Sequence, residues 1–166
     1  TLVTDASGED GFGGYAFMAG SPDVVYLMSE SWPPEAARAL AASADVEQAR
    51  LRRQDSNQAR PYLPMPAGEL FAAVLLPRLV GRLQETRTVF AVGDCEPAVH
   101  SLATLHSSHP QMRELMVGAR EDGATYVSAH VRREANVDAD RLSHPHLLSE
   151  VEGELSSTFT TVRVRP

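Results

Sequence analysis

Cysteine, long apolar runs and positive charge are all scarce in this chain. The one cysteine, Cys95, rules out an intramolecular disulfide. It favours a reducing compartment, so an intracellular location, cytoplasm or nucleus, is expected. No apolar run reaches the roughly 18 residues that cross a bilayer as a helix, so no membrane partner is expected. Lys and Arg total 15 against 22 Asp and Glu, and the formal net charge is −7. Phosphate contacts need basic side chains, so this balance is unfavourable for strong nucleic-acid binding by the chain alone. No secretory signal opens the sequence, and its first residue is Thr rather than Met, so a piece of a longer polypeptide is expected.

What is present suits one folded domain. The 166 residues are 43% hydrophobic, enough for a sizeable core. Residues 1–5 read as a short buried strand ending in an acid. A turn of glycines and small polar residues follows. Residues 15–19 and 24–28 read as two further strands, so the opening is an antiparallel meander. Residues 32–66, rich in Ala and Pro and carrying Arg50, Arg52 and Arg53, read as an irregular insertion with a short helix. The arginines are either a solvated helix face or a phosphate contact.

From residue 67, Leu70, Val74, Leu75 and Leu79 form a core-facing helical stripe that Pro77 should kink or stop. Residues 88–94 are a strand that again ends in an acid. Helices are expected over 96–106 and 110–121, and a strand over 125–130. Asn136 is a candidate cap for a helix from about 137. Residues 146–166 read as a weakly patterned tail with a possible strand over 160–164.

The order βββ-αβ-α(α)β-α implies an α/β fold. Its five-stranded mixed sheet would have three antiparallel strands, then two parallel ones, with flanking helices. One domain, residues 1–145, would carry the insertion at about 32–66. If the first and fourth strands are neighbours, Asp5 and Asp94 meet at their carboxyl ends, where open α/β sheets gather their sites.

Asp5, Glu69, Asp94 and Asp140 stand where four elements begin or end. Brought together, four carboxylates repel one another, and a divalent cation removes that cost. Mg²⁺ takes hard oxygen ligands, Mn²⁺ can substitute, and two ions can clamp a phosphodiester undergoing in-line displacement. Taken singly, Asp5 also fits a turn cap, Glu69 an acid at a helix N-terminus, and Asp94 an N-cap. Asp138 competes with Asp140. The spacing His130-x5-Asn136-x3-Asp140 favours the latter. His130 is either a polar surface group or a proton shuttle near the leaving group. Cys95 reads as a small buried residue, since no base is placed for it. His144 and His146 lack convincing zinc spacing, and Ser7 lacks a triad.

Three segments resemble the ribonuclease H domain of reverse transcriptases. Thr4-Asp5-Ala6-Ser7 with its glycine-rich turn is similar to the family's first catalytic strand. Gly68-Glu69-Leu70-Phe71-Ala72-Ala73 resembles its Glu-Leu-x-Ala helix start. Ser128-Ala129-His130 through Asn136 to Leu142-Ser143 resembles its last loop and helix. There Ala139-Asp140-Arg141-Leu142-Ser143 is similar to a signature of retrotransposon and pararetrovirus polymerases.

The resemblance implies a two-Mg²⁺ endonuclease that cuts the RNA strand of RNA–DNA hybrids. Asp5, Glu69, Asp94 and Asp140 would be the metal ligands and His130 a catalytic helper, and the other domains of a polymerase polyprotein would be partners. The chain departs from the family at Gly93-Asp94-Cys95, where a hydroxyl or amide usually follows the acid. The insertion is long, and no basic hybrid-gripping helix is evident. Those departures, with the acidic charge, also fit a catalytically weak or inactive interaction module of the same fold in a larger nucleoprotein assembly. A transposase or integrase core is a third reading, though such cores usually employ three acids.

Overall fold

Leu2, Thr4 and Ala6 are buried on one face of strand β1 (Leu2–Ala6), while Asp5 is buried on the other. Such a strand needs cover on both faces and partners on both edges, and the chain supplies them. The computed structural model describes residues 1–8, 10–38, 64–81, 88–107 and 110–166. Residues 39–63, with Arg50, Arg52 and Arg53, lie outside the described residues.

On one edge, β1 pairs antiparallel with β2 (Gly11–Met18), and β2 pairs antiparallel with β3 (Ser21–Ser31). On the other edge, β1 runs parallel to β4 (Thr88–Gly93), which runs parallel to β5 (Thr125–His130). Helices α1 (Pro64–Gly81), α2 (Glu96–Thr104) and α3 (Pro110–Glu121) supply the intervening segments. Beyond β5 come a 3₁₀ turn (Arg133–Ala135), α4 (Val137–Leu142) and α5 (Leu148–Leu155).

The sheet differs from the expected one by a strand. Residues 160–163 form β6 (Thr160–Arg163), parallel to β3, and the order is β5-β4-β1-β2-β3-β6. The expected five strands are therefore six. The sixth was hard to read because its four residues hold a single aliphatic side chain, Val162, and the strand lies at the sheet edge. Residues 146–166 carry α5 and β6.

Side-chain alternation divides the core into two layers. Leu2, Ala16, Tyr26, Val89 and Ala91 face one side with Leu70, Val74, Leu76 and Val80 of α1, Leu102 of α2 and Met116 of α3. Val25, Leu27, Tyr15 and Phe17 face the other side, with Leu142 of α4 and Val151 of α5. Pro77 does not stop α1. The helix continues to Gly81, and Leu79 and Val80 beyond the proline are buried. Their burial offsets the one backbone hydrogen bond that proline cannot donate.

Trp32, at the start of the expected insertion, is tied to the core. Its ring lies 4.7 Å from that of Phe12, and its Nε1–H donates to the Ser7 carbonyl at 2.6 Å.

Gly13 has no room for a side chain. A Cβ there would lie 2.1 Å from the carbonyl oxygen of Leu142, so the end of α4 rests directly on β2 opposite Asp5. Gly13→Ala should therefore destabilise the fold by about 1–3 kcal/mol, as overpacking does. Gly20→Ala, where nothing lies within 4 Å, should change it by less than about 1 kcal/mol. Denaturant unfolding of the two variants checks this. Equal stabilities would mean that α4 is not seated on β2.

Candidate metal centre

Parallel pairing of β1 with β4 sets Val3 against Val92. Two residues further along each strand come Asp5 and Asp94. Their backbones thus stand side by side, about 5 Å apart, at the carboxyl ends of adjacent strands. Helix α1 brings the third acid. At Gly68 a Cβ would meet the Trp32 ring at 3.2 Å and the Ala6 methyl at 3.4 Å, so the helix lies close against the end of β1. Glu69 follows and is buried beside Asp5. One carboxylate oxygen each from Asp5, Glu69 and Asp94 lies within 4.8 Å of the other two.

Two of the bland readings of these acids do not hold. Cys95, not Asp94, occupies the N-cap position of α2. Glu69 lies beyond the first turn of α1, which holds no acidic residue, so it is not a helix-start acid interacting with the dipole.

The electrostatics follow from burial. Desolvation raises the Asp5 carboxyl above its ordinary value, although the hydrogen bond with Glu69 partly opposes this, and the charges of Asp94 and Asp140 add to it. Desolvation also raises Glu69, and there the bond to Asp5 and the charges of Asp5 and Asp94 push the same way. Without a cation, Glu69 and Asp5 therefore share a proton across their hydrogen bond. The Cys95 thiol is pushed up to about 11, chiefly by burial, so it is no nucleophile at neutral pH.

Asp140 and His130 are near but outside this group. Asp140, on α4, is half exposed and accepts from Arg133 Nη2 at 3.4 Å. Its charge still reaches Asp5. His130 ends β5, beside Gly93 in register. Its Nε2–H donates to the backbone carbonyl of Asp94 at 3.0 Å. Three of the four expected ligands are thus in one cluster, and Asp140 stands at its rim. Asp138 instead pairs with Arg141 at 3.7 Å. His144 pairs with Asp10, and the His146 ring lies 5.9 Å from that of His144.

Asn136 does something the sequence did not reveal. It was read as a helix cap, and it does hold that position, but its side chain caps nothing. It is almost fully buried, and its Nδ2 donates to the Thr4 carbonyl and to Asp94 Oδ1, both at 3.3 Å. One amide thereby ties α4 to β1 and fixes one oxygen of Asp94. The spacing to Asp140 marked the residue, but its role depends on three elements meeting, which no local pattern records.

Three convergent carboxylates are a fitting donor set for a hard divalent cation. They lie close enough to bind one ion. No family model matches the chain, and no curated protein matches it.

The raised acids make a signed prediction. A carboxyl whose folded pKa exceeds its unfolded one stabilises the fold below the unfolded value and loses that contribution as pH rises through the folded one. In chelator, the melting temperature should therefore fall as pH rises from about 4 through the raised values of about 6 for Asp5 and about 10 for Glu69. Glu69→Gln should flatten that fall, since its amide holds the hydrogen bond without a proton to lose. Excess Mg²⁺ should flatten it too, by neutralising the charges. A variant that keeps the full slope would show that Glu69 does not hold the proton.

Proposed function

We propose that this chain is a ribonuclease H-type endonuclease domain of a reverse transcriptase polyprotein. It cleaves the RNA strand of RNA–DNA hybrids with divalent cations. The observation that carries this reading is the meeting of Asp5, Glu69 and Asp94 at the carboxyl ends of two adjacent parallel strands. Asp140, Asn136 and His130 stand around it. From β1 to α4 the order is three strands, helix, β4, helices, β5 and helix, as the resemblance implies, and α5 and β6 lie beyond it.

Bound divalent cations supply Lewis acidity at the scissile phosphate and an activated water. Asp5 and Asp94 offer their carboxylates as ligands, and Glu69 joins them by giving up its proton. Asn136 keeps one Asp94 oxygen occupied, which fixes the direction of the other. Asp140 completes the donor set from the rim. His130, held by the Asp94 carbonyl, stands at the open side, where it can hand a proton to the leaving oxygen. RNA is told from DNA by its 2′-hydroxyls and by the shape of the hybrid. Other polyprotein domains supply the positive charge that this chain lacks.

One observation favours the interaction-module reading instead: Asp140 is paired with Arg133 and stands apart from the other three acids. Cleavage decides between the readings. With Mg²⁺ or Mn²⁺ the protein should cut the RNA of a labelled hybrid and leave duplex DNA intact. Asp94→Asn should slow cleavage by at least about a hundredfold. Its metal-free melting temperature should hold or rise, because one repulsive charge is gone. Undiminished cleavage by the variant would remove Asp94 from the ligand set. Cleavage of duplex DNA in place of the hybrid would favour the transposase or integrase reading.

A second measurement needs no substrate. Millimolar Mg²⁺ or Mn²⁺ should raise the melting temperature of the native protein, since the cation binds only the folded cluster. The absence of any shift would favour the interaction module.

A further inference from the structure

The structure assigns a second role to the loop between β5 and α4: we propose that Arg133 is a phosphate-binding side chain that exchanges Asp140 for the hybrid backbone once cations occupy the acid cluster. This rests on the nuclease reading and names a contact within it.

Four other arginines are held by the fold itself. Arg141 is largely buried and bonds Glu150 and Glu154 at 2.7–2.9 Å. Arg78 meets Asp122 at 2.5 Å, Arg120 meets the Leu105 carbonyl at 2.5 Å, and Arg163 pairs with Glu152. These contacts tie elements of the fold together. Arg133 is different. Its side chain is 78% exposed, and its one ion pair, to Asp140, is long at 3.4 Å. So exposed a pair is weakly held. Among the described residues it is also the ion pair that engages one of the four proposed ligands.

Its neighbourhood says what it can do. Its guanidinium bonds Asp140 directly, and the charges of Asp94 and Asp5 also act on it, so it lies within the field of the cluster. Arg133 therefore acts as a counter-ion while the acids carry their charge alone. Divalent cations in the cluster repel it and take over Asp140. The released guanidinium is then a planar, permanently charged fork beside the place where a phosphodiester must lie. Such a fork pairs bidentately with phosphate oxygens, which a lysine cannot do. The 3₁₀ turn that carries it joins β5 to α4, so His130 and Asp140 flank it in sequence and in space. An acidic chain that binds a polyanion gains most from a cation placed at the reacting phosphate.

Two measurements on Arg133→Gln move in opposite directions. The first is a Mg²⁺ titration followed by melting temperature. The midpoint should fall severalfold, because a competing cation has been removed. The second is the affinity for a labelled hybrid by fluorescence anisotropy in Ca²⁺, whose loose coordination disfavours in-line cleavage. Affinity should drop about tenfold, and the slope of log K against log salt should shrink by about 0.9. Arg133→Lys should restore the slope without the full affinity. Without metal, Arg133→Gln should melt slightly below the parent, because an exposed counter-ion is lost, and Arg133→Lys should match the parent.

If the parent protein binds and cuts the hybrid while Arg133→Gln keeps its affinity and salt slope, the phosphate role is overturned and the nuclease reading stands. A Mg²⁺ midpoint that does not fall overturns the exchange. A parent protein that neither binds nor cuts the hybrid overturns the nuclease reading, and this inference with it.

Discussion

Repulsion among carboxylates in a small, partly dry volume is the constraint from which the rest of this architecture can be understood. Asp5 and Glu69 are buried, Asp94 is half buried, and their oxygens lie within 4.8 Å of one another. Such a cluster is expensive to hold together. It persists because each acid sits on a rigid element that has other reasons to be where it is. Asp5 belongs to a strand paired on both edges, Asp94 follows a strand packed between two parallel neighbours, and Glu69 rides on a helix with Leu70, Val74 and Leu76 in the core. The packing of these elements holds the acids against their own field. The shared proton of Glu69 and the guanidinium of Arg133 lower the remaining cost.

The positions of the acids were legible because each stands next to a strong local signal. The apolar alternation of β1 and β4 ends just at Asp5 and Asp94, and the stripe of α1 begins just after Glu69. Asp5 and Asp94 meet because β1 and β4 are neighbours, which stood in the sequence only as a condition. What was not legible depended on elements far apart in sequence. Asn136 holds Asp94 only because α4 comes down on β1. Arg133 meets Asp140 only because the turn after β5 leads straight into α4. β6, with few apolar residues, was legible only as a possible strand over 160–164, and the helix α1 outlasts Pro77 because tertiary burial outweighs one missing donor.

Helix α4 is too short to be stable alone, and its seat is made by its neighbours. Leu142 and Ala139 are fully buried, Gly13 makes room for its last carbonyl, and Arg141 binds it to α5 through Glu150 and Glu154. α5 in turn packs Val151 against Val25 and Leu27, beneath which β6 pairs with β3. The chain beyond residue 145 thus braces the element that carries Asp140. A perturbation of α5 reaches the rim of the site through Arg141 rather than through the sheet. Phe90 and Val127, paired across β4 and β5, remain about half exposed on the face that α4 and α5 cover only in part.

The central place of β1 has a consequence for how the molecule forms. Of the strands in this sheet it comes first in the chain, and β2 and β3 can fold onto one edge at once as local hairpins. Its other edge has no partner until β4 has been synthesised, and the amide of Asn136 reaches Thr4 across a separation of 132 residues. Long-range parallel pairing is slow because the chain must close a large loop before any contact rewards it. Through that interval an apolar strand edge lies open, the kind of surface on which unfinished chains associate. The acid at its end then serves the folding chain as well as the finished site: a charge beside a bare edge discourages a second copy from adding a strand there.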